Sequence, residues 1–275
     1  MPSTQFQRPP HQKRLSVSTW SLHAHLGAPP FNGPERETAP FDSQKLLQLP
    51  AQIAEFGIKT LEICHFHLPS RDEAFLAEMK SELNANGIEL WTLLIDDGDL
   101  NDPQNAARDA AWMASYLPVA AQLGAKNARV IAGKGAPTPE NQAQSVASLQ
   151  ELSRQAESLG LRLLTENWFD MTATPAATIQ LLDALDGQLG LMMDFGNWKS
   201  DEKYADLAQI APYAESCHTK AAFQNGQIER EDYVKCLEIT QAADFAGPYT
   251  LIYDSGGDEW NGLKQEREVV APYLS

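Results

Sequence analysis

Residues 161–168 read Leu-Arg-Leu-Leu-Thr-Glu-Asn-Trp, and residues 189–198 read Leu-Gly-Leu-Met-Met-Asp-Phe-Gly-Asn-Trp. Each is a short apolar run that stops on a carboxylate. Between them Thr174-Pro175 places a capping residue and then proline at a first helical position. Gly160 precedes the first run as a helix-ending glycine does. A strand, a helix and a strand punctuated this way make a parallel βαβ unit.

The same rhythm extends in both directions. The sequence predicts strands at Leu15–Trp20, Ile58–Cys64, Ile88–Ile95, Ala128–Ile131, Leu161–Thr165, Leu189–Met193, Ala214–His218 and Tyr249–Tyr253. Helical periodicity fills the intervals, as in Glu73–Leu83 and Ala106–Leu123. Gly57, Gly87 and Gly124 end further helices. Thr138-Pro139 is another cap-and-proline start, and Ser70-x-x-Glu73 reads as a capping box. Pro50 predicts a kink in the first helical segment, or a helix that begins at Leu49.

Eight such units predict a closed (β/α)8 TIM barrel, a single α/β domain. The length of 275 residues suits one barrel. No GxGxxG follows the first strand, which argues against an open doubly wound sheet. The expected organisation is a flexible segment over 1–14 and a barrel over 15–275. A long first loop at about 24–42, carrying Pro29, Pro30, Gly33 and Pro34, lies over the mouth as a lid or a passive insertion.

Lys and Arg total 21 against 37 Asp and Glu, a formal charge of −16. Such an acidic chain repels phosphate backbones and anionic lipid, so neither nucleic acid nor membrane is an expected partner. Cys64, Cys217 and Cys236 are odd in number and form no CxxC pair, which fits buried thiols in a reducing compartment. The N-terminus carries no apolar signal core, and no run approaches a membrane span. The expected location is cytoplasmic.

In a barrel the chemistry sits where strands end at the C-terminal face. The last four strands end on Glu166, Asp194, His218 and Asp254. Singly, each is an ordinary turn, cap or hydrogen-bonding residue. Together they converge on one mouth, where three carboxylates repel unless a cation sits among them. One imidazole with three carboxylates suits Mn2+, Mg2+, Co2+ or Zn2+. Lys220 shares a strand face with His218, and Trp20 and Trp168 can wall a sugar ring. Glu62 interrupts an apolar strand and is expected to be paired inside. His65 and His67 follow it, Arg129 lies in the fourth strand, and His23 and His25 lie in the first loop.

Thr-Glu166-Asn167, Met-Asp194-Phe-Gly-Asn197 and Cys-His218-Thr-Lys220 resemble the xylose isomerase-like barrels, also called the AP endonuclease family 2 fold. The resemblance runs from Trp20 to Asp254. That group includes ketose 3-epimerases, hydroxypyruvate isomerases, inosose dehydratases and endonuclease IV. It implies one divalent metal, Mn2+ first among the candidates, held by Glu166, Asp194, His218 and Asp254. Glu166 and Asp254 would be the acid/base pair, with Lys220, Glu62, Trp20, His65, Trp168, Asn197 and Arg129 contacting substrate. The implied activity is a sugar isomerase or epimerase that abstracts a proton beside a carbonyl through an enediolate, on a keto-sugar or polyol-derived substrate. Dehydration or elimination of an inosose or keto-sugar on the same site is the first alternative, and a non-catalytic sugar-binding barrel the second. An endonuclease IV-like phosphodiesterase comes last, since Asn197 stands where many members carry His. Family barrels often dimerise, so a homodimer is implied. The family's last ligand is usually Glu, and here it is Asp254, one methylene shorter.

Overall fold

A computed structural model describes residues 12–27, 33–34 and 42–275. Eight parallel strands close into a barrel: β1 (Arg14–Ser18), β2 (Thr60–Cys64), β3 (Glu89–Leu94), β4 (Asn127–Arg129), β5 (Arg162–Glu166), β6 (Gly190–Asp194), β7 (Ala214–Lys220) and β8 (Pro248–Ile252). Each strand hydrogen-bonds its sequence neighbours, and β1 closes the ring onto β8. Helices follow the strands in turn: α1 (Ser43–Glu55), α2 (Glu73–Ala85), α3 (Ala106–Leu123), α4 (Pro139–Ser158), α5 (Pro175–Ala184), α6 (Lys203–Ile210), α7 (Arg230–Ala242) and α8 (Glu259–Val270). A short antiparallel ribbon, Phe223–Gln224 against Gln227–Ile228, sits between β7 and α7. Residues 1–11 and most of the long first loop lie outside the described residues. The strand itself starts at Arg14, anchored to Glu89.

Strands β2, β5, β6 and β8 are buried along their whole length. This is why they read as continuous apolar runs and not as alternating ones: helices cover their outer face and side chains fill the inner one. The main core lies between strands and helices. A smaller cluster of Cys64, Phe66, Leu94, Leu164 and Met192, with Trp20 packed on it, forms a separate layer.

Local signals behave unevenly. The Thr138 and Thr174 hydroxyls accept from the Asn141 and Ala177 N–H groups, as the cap-and-proline reading requires. Gly87 and Gly160 follow α2 and α4 at φ +64° and +76°, a region that disfavours side chains. The capping box at Ser70 does not form. Ser70 accepts from the Asp72 N–H, two residues on, and α2 starts at Glu73, so Glu73 cannot be the third helical residue. Nor does α1 begin at Leu49. It starts at Ser43 behind an Asp42 cap and runs through Pro50. Leu46, Leu47, Leu49 and Ile53 are all buried, and their packing offsets the hydrogen bond that proline removes.

Candidate active site

Register brings the ends of β5, β6 and β7 together. Asp194 pairs directly with His218, and Glu166 with Met192, one pleat short of Asp194. Asn167 clamps this arrangement: its amide accepts from the Asp194 N–H at 2.7 Å and donates to the Asp194 carbonyl at 3.0 Å. Irregular register at Leu191/Met192 and at Leu61/Glu62 falls on strands that carry site residues, as bulges near active sites often do.

Glu166, Asp194 and His218 each offer a donor atom within 4.8 Å of the others, and all three are buried. His218 Nδ1 lies 3.7 Å from Glu166 Oε2 and 3.8 Å from Asp194 Oδ2. Its Nε2 lies 2.7 Å from Glu62 Oε2, and Thr92 donates to the other Glu62 oxygen. A carboxylate on Nε2 holds the proton there and turns the Nδ1 lone pair to the other two donors. Burial opposes protonation of His218, but Glu62 and Glu166 outweigh it and raise its pKa.

The same donors fit a divalent cation. The 3.7 and 3.8 Å separations from His218 are ones that ligands about 2.0–2.2 Å from a shared ion can span. Glu166 Oε2 is buried without a hydrogen-bond partner among the described residues. Burial, then the neighbouring Glu166 carboxylate, push the Asp194 carboxyl up to about 6. Two buried carboxylates that oppose each other's ionisation are relieved by a cation between them.

Glu166 is fixed from two further sides. Asn197 donates to Oε1 at 2.7 Å, and Arg129 Nε lies 3.1 Å from Oε2. Arg129 Nη2 also reaches Asp96 at 2.5 Å. Burial would raise the Asp96 carboxyl, but Arg129 and His65 outweigh it and hold it below the usual range. Trp20, Leu94, Asp96, Arg129, Trp168 and Lys220, together with the cluster, line a single pocket.

The predicted site residues therefore divide. Trp20, Trp168, Asn197, Arg129 and Lys220 line the pocket beside Glu166, Asp194 and His218. Asp254 is not brought into the cluster. It lies two residues beyond β8 in an exposed turn, and the Lys220 ammonium holds its short carboxylate there. Glu62 does not reach the pocket, because it is wholly buried against His218. His65 is turned away as well. Its Nδ1 accepts from the Asp96 N–H, and its ring packs edge-on against Trp112 and Tyr116. His67 joins Thr19 and His23 in a hydrogen-bonded chain, and burial pushes its pKa down to about 3. His25 bonds Gln52.

Asp96 and Asn167 belong to the site although the sequence reading passed over Asp96 and gave Asn167, quoted within the Thr-Glu166-Asn167 motif, no role of its own. Asp96 follows the predicted third strand directly, the same signal that marks Glu166 and Asp194. Asn167 gives no signal of its own, since its role depends on the register of β5 against β6.

The family model of the xylose isomerase-like TIM barrel matches residues 50–270, and the chain belongs to that family. A sequence search of curated proteins finds no match. Three solved structures share the fold. A D-allulose 3-epimerase from Methylomonas sp. superposes with a TM-score of 0.73 at 15% identity, covering 97% of this chain and 100% of its own. An L-ribulose 3-epimerase gives 0.73 at 16% identity, covering 96% and 95%. A xylose isomerase-like TIM barrel protein from Mycobacterium smegmatis in complex with magnesium gives 0.72 at 14% identity, covering 95% and 98%. Among the described residues no helix is long and apolar enough to cross a membrane.

Proposed function

We propose that this protein is a divalent-metal-dependent sugar isomerase or epimerase that moves a proton at the carbon beside a ketose carbonyl. The observation that carries the reading is the buried Glu166–Asp194–His218 cluster, which lines one pocket together with Trp20 and Trp168. Neighbouring structures of ketose 3-epimerases, one solved with D-allulose, support the substrate class, and one neighbour holds magnesium.

A Mn2+ or Mg2+ ion held by the three side chains supplies Lewis-acid stabilisation to substrate oxygens that gain negative charge. Glu166 takes the carbon-bound proton. Arg129 lies beside it, and Asn197 sets its orientation. Lys220, whose ammonium lines the pocket and is paired with Asp254, returns a proton from the side of β7 and β8. Trp20 and Trp168 exclude water from the electron-rich enediolate. Dehydration on the same site is the second reading, favoured by Lys220: a pocket-lining ammonium can donate to a departing hydroxyl.

The test is incubation of the Mn2+-loaded protein with ketopentoses and ketohexoses in deuterium oxide. Deuterium at the carbon beside the carbonyl, with a new epimer or aldose, supports the first reading. An unsaturated product with loss of a hydroxyl supports the second. No exchange on any sugar, with metal bound, leaves a non-catalytic barrel. Among the described residues Arg129 and Lys220 are the cations of the pocket and both are ion-paired, which leaves little to hold a DNA phosphate.

A further inference from the structure

Gly196 lacks a side chain, and its backbone does not explain why. Its φ lies outside the left-handed region, so its conformation does not call for glycine. Space is what excludes a side chain. A Cβ on Gly196 would lie 2.7 Å from Lys220 Cδ, 2.9 Å from Cγ and 3.2 Å from Cβ. The lysine stem therefore runs across the face of Gly196, and the residue goes on to line the pocket. Lys220 is half-buried there, paired with Asp254.

The turn that carries Gly196 is tied down residue by residue. The Phe195 N–H donates to the His218 carbonyl at 3.1 Å, and the Gly196 N–H donates to Asp194 Oδ1 at 2.6 Å. Asn197 donates to Glu166 Oε1 at 2.7 Å, and the Trp198 indole donates to the Thr172 carbonyl at 3.1 Å. A backbone held at successive residues yields less readily than the flexible stem of a lysine. A side chain at position 196 would therefore push Lys220 aside and leave the turn in place.

We infer that Gly196 is a positioning residue for Lys220: the side chain it lacks leaves the groove by which the lysine crosses the turn after β6 and reaches the pocket. One turn then divides its work among three residues. Asp194 is a donor of the cluster, Gly196 admits the lysine, and Asn197 orients Glu166. The placement of Lys220 is independent of the reaction. Only what the ammonium does in the pocket rests on the proposed isomerase reading. With a larger residue at position 196 the cluster stays intact and the proton donor is lost.

The experiment compares wild type with Gly196→Ala, Lys220→Ala and the double variant. Gly256→Ala is the control, since a Cβ there meets nothing within 4 Å. Acetylation of each lysine by an activated ester is followed by mass spectrometry, and Mn2+ binding by calorimetry. In Gly196→Ala, Lys220 is expected to react several-fold faster, toward the rate of the exposed Lys59, with Mn2+ affinity not weakened. Gly256→Ala leaves both unchanged. Unchanged labelling of Lys220 in folded Gly196→Ala overturns the inference. Faster labelling accompanied by loss of Mn2+ affinity also overturns it, because the turn itself has then moved. If Gly196→Ala fails to fold, the double variant decides. Recovery of the Tm of Lys220→Ala identifies the lysine stem as the obstacle, and failure to recover overturns the groove. Carbon-bound hydrogen exchange by the Mn2+-loaded proteins tests the reaction separately. Turnover lowered in Gly196→Ala as in Lys220→Ala, and no lower in the double variant, ties the groove to catalysis. Faster labelling in Gly196→Ala with no exchange in wild type keeps the groove and removes the catalytic reading.

Discussion

Glu62 shows how one side chain acts through another. It touches no open space, yet its carboxylate decides which His218 nitrogen faces Glu166 and Asp194. Replacing Glu62 by Gln keeps the shape and removes the charge. Metal affinity is expected to fall about 10- to 100-fold, the usual cost of losing such a partner, read by metal titration. An unchanged affinity would mean that His218 is not a ligand. Arg129 is the opposite case, a buried cation between Asp96 and Glu166. Arg129→Met leaves both carboxylates uncompensated and is expected to cost about 3–5 kcal/mol, measured by urea unfolding of metal-free protein.

At the scale of elements, local sequence signals were reliable where they needed only neighbouring residues. Thr174 caps α5 at a position that its own segment defines. Thr174→Ala is expected to cost about 1 kcal/mol. Ser70→Ala, by contrast, is expected to stay within about 0.5 kcal/mol, since Ser70 serves only an exposed turn before α2. Equal losses in thermal unfolding would contradict a start of α2 at Glu73 and of α5 at Pro175. Pro50 is the counterexample. Local chemistry argues for a break, and burial of four apolar side chains around it overrides that preference.

Across the whole molecule, the cluster couples metal, protons and stability. Asp194 has a folded pKa of about 6, above its ordinary value of 3.8. The folded metal-free protein therefore binds more protons than the unfolded chain between those values, and this group's contribution to stability falls as pH rises through that window. Metal-free wild type is expected to lose stability between about pH 4 and 6 relative to Asp194→Asn, which has no such proton to lose. Mn2+ reverses the trend, because the ion favours the ionised carboxylate. At about 100 times its dissociation constant the ion adds about 2.7 kcal/mol. That corresponds to an upward shift of several degrees in Tm, and the shift should be absent in His218→Ala.

Much of this protein was determined by local sequence. Eight apolar runs, glycines after helices and cap-proline starts specified strand, helix and barrel, because those signals depend on a few adjacent residues and on burial alone. Strand-end position likewise marked Glu166, Asp194 and His218. Only the tertiary structure decided how these residues combine. The register of β6 on β7 set Asp194 beside His218, and the barrel's closure brought Glu62 across to the same imidazole from 156 residues away. The turn after β8 left Asp254 with Lys220. Charge pairing and exposure are properties of distances through space. Sequence spacing carries no record of those distances, so the difference between a ligand, its support and a solvated carboxylate became visible only in the fold.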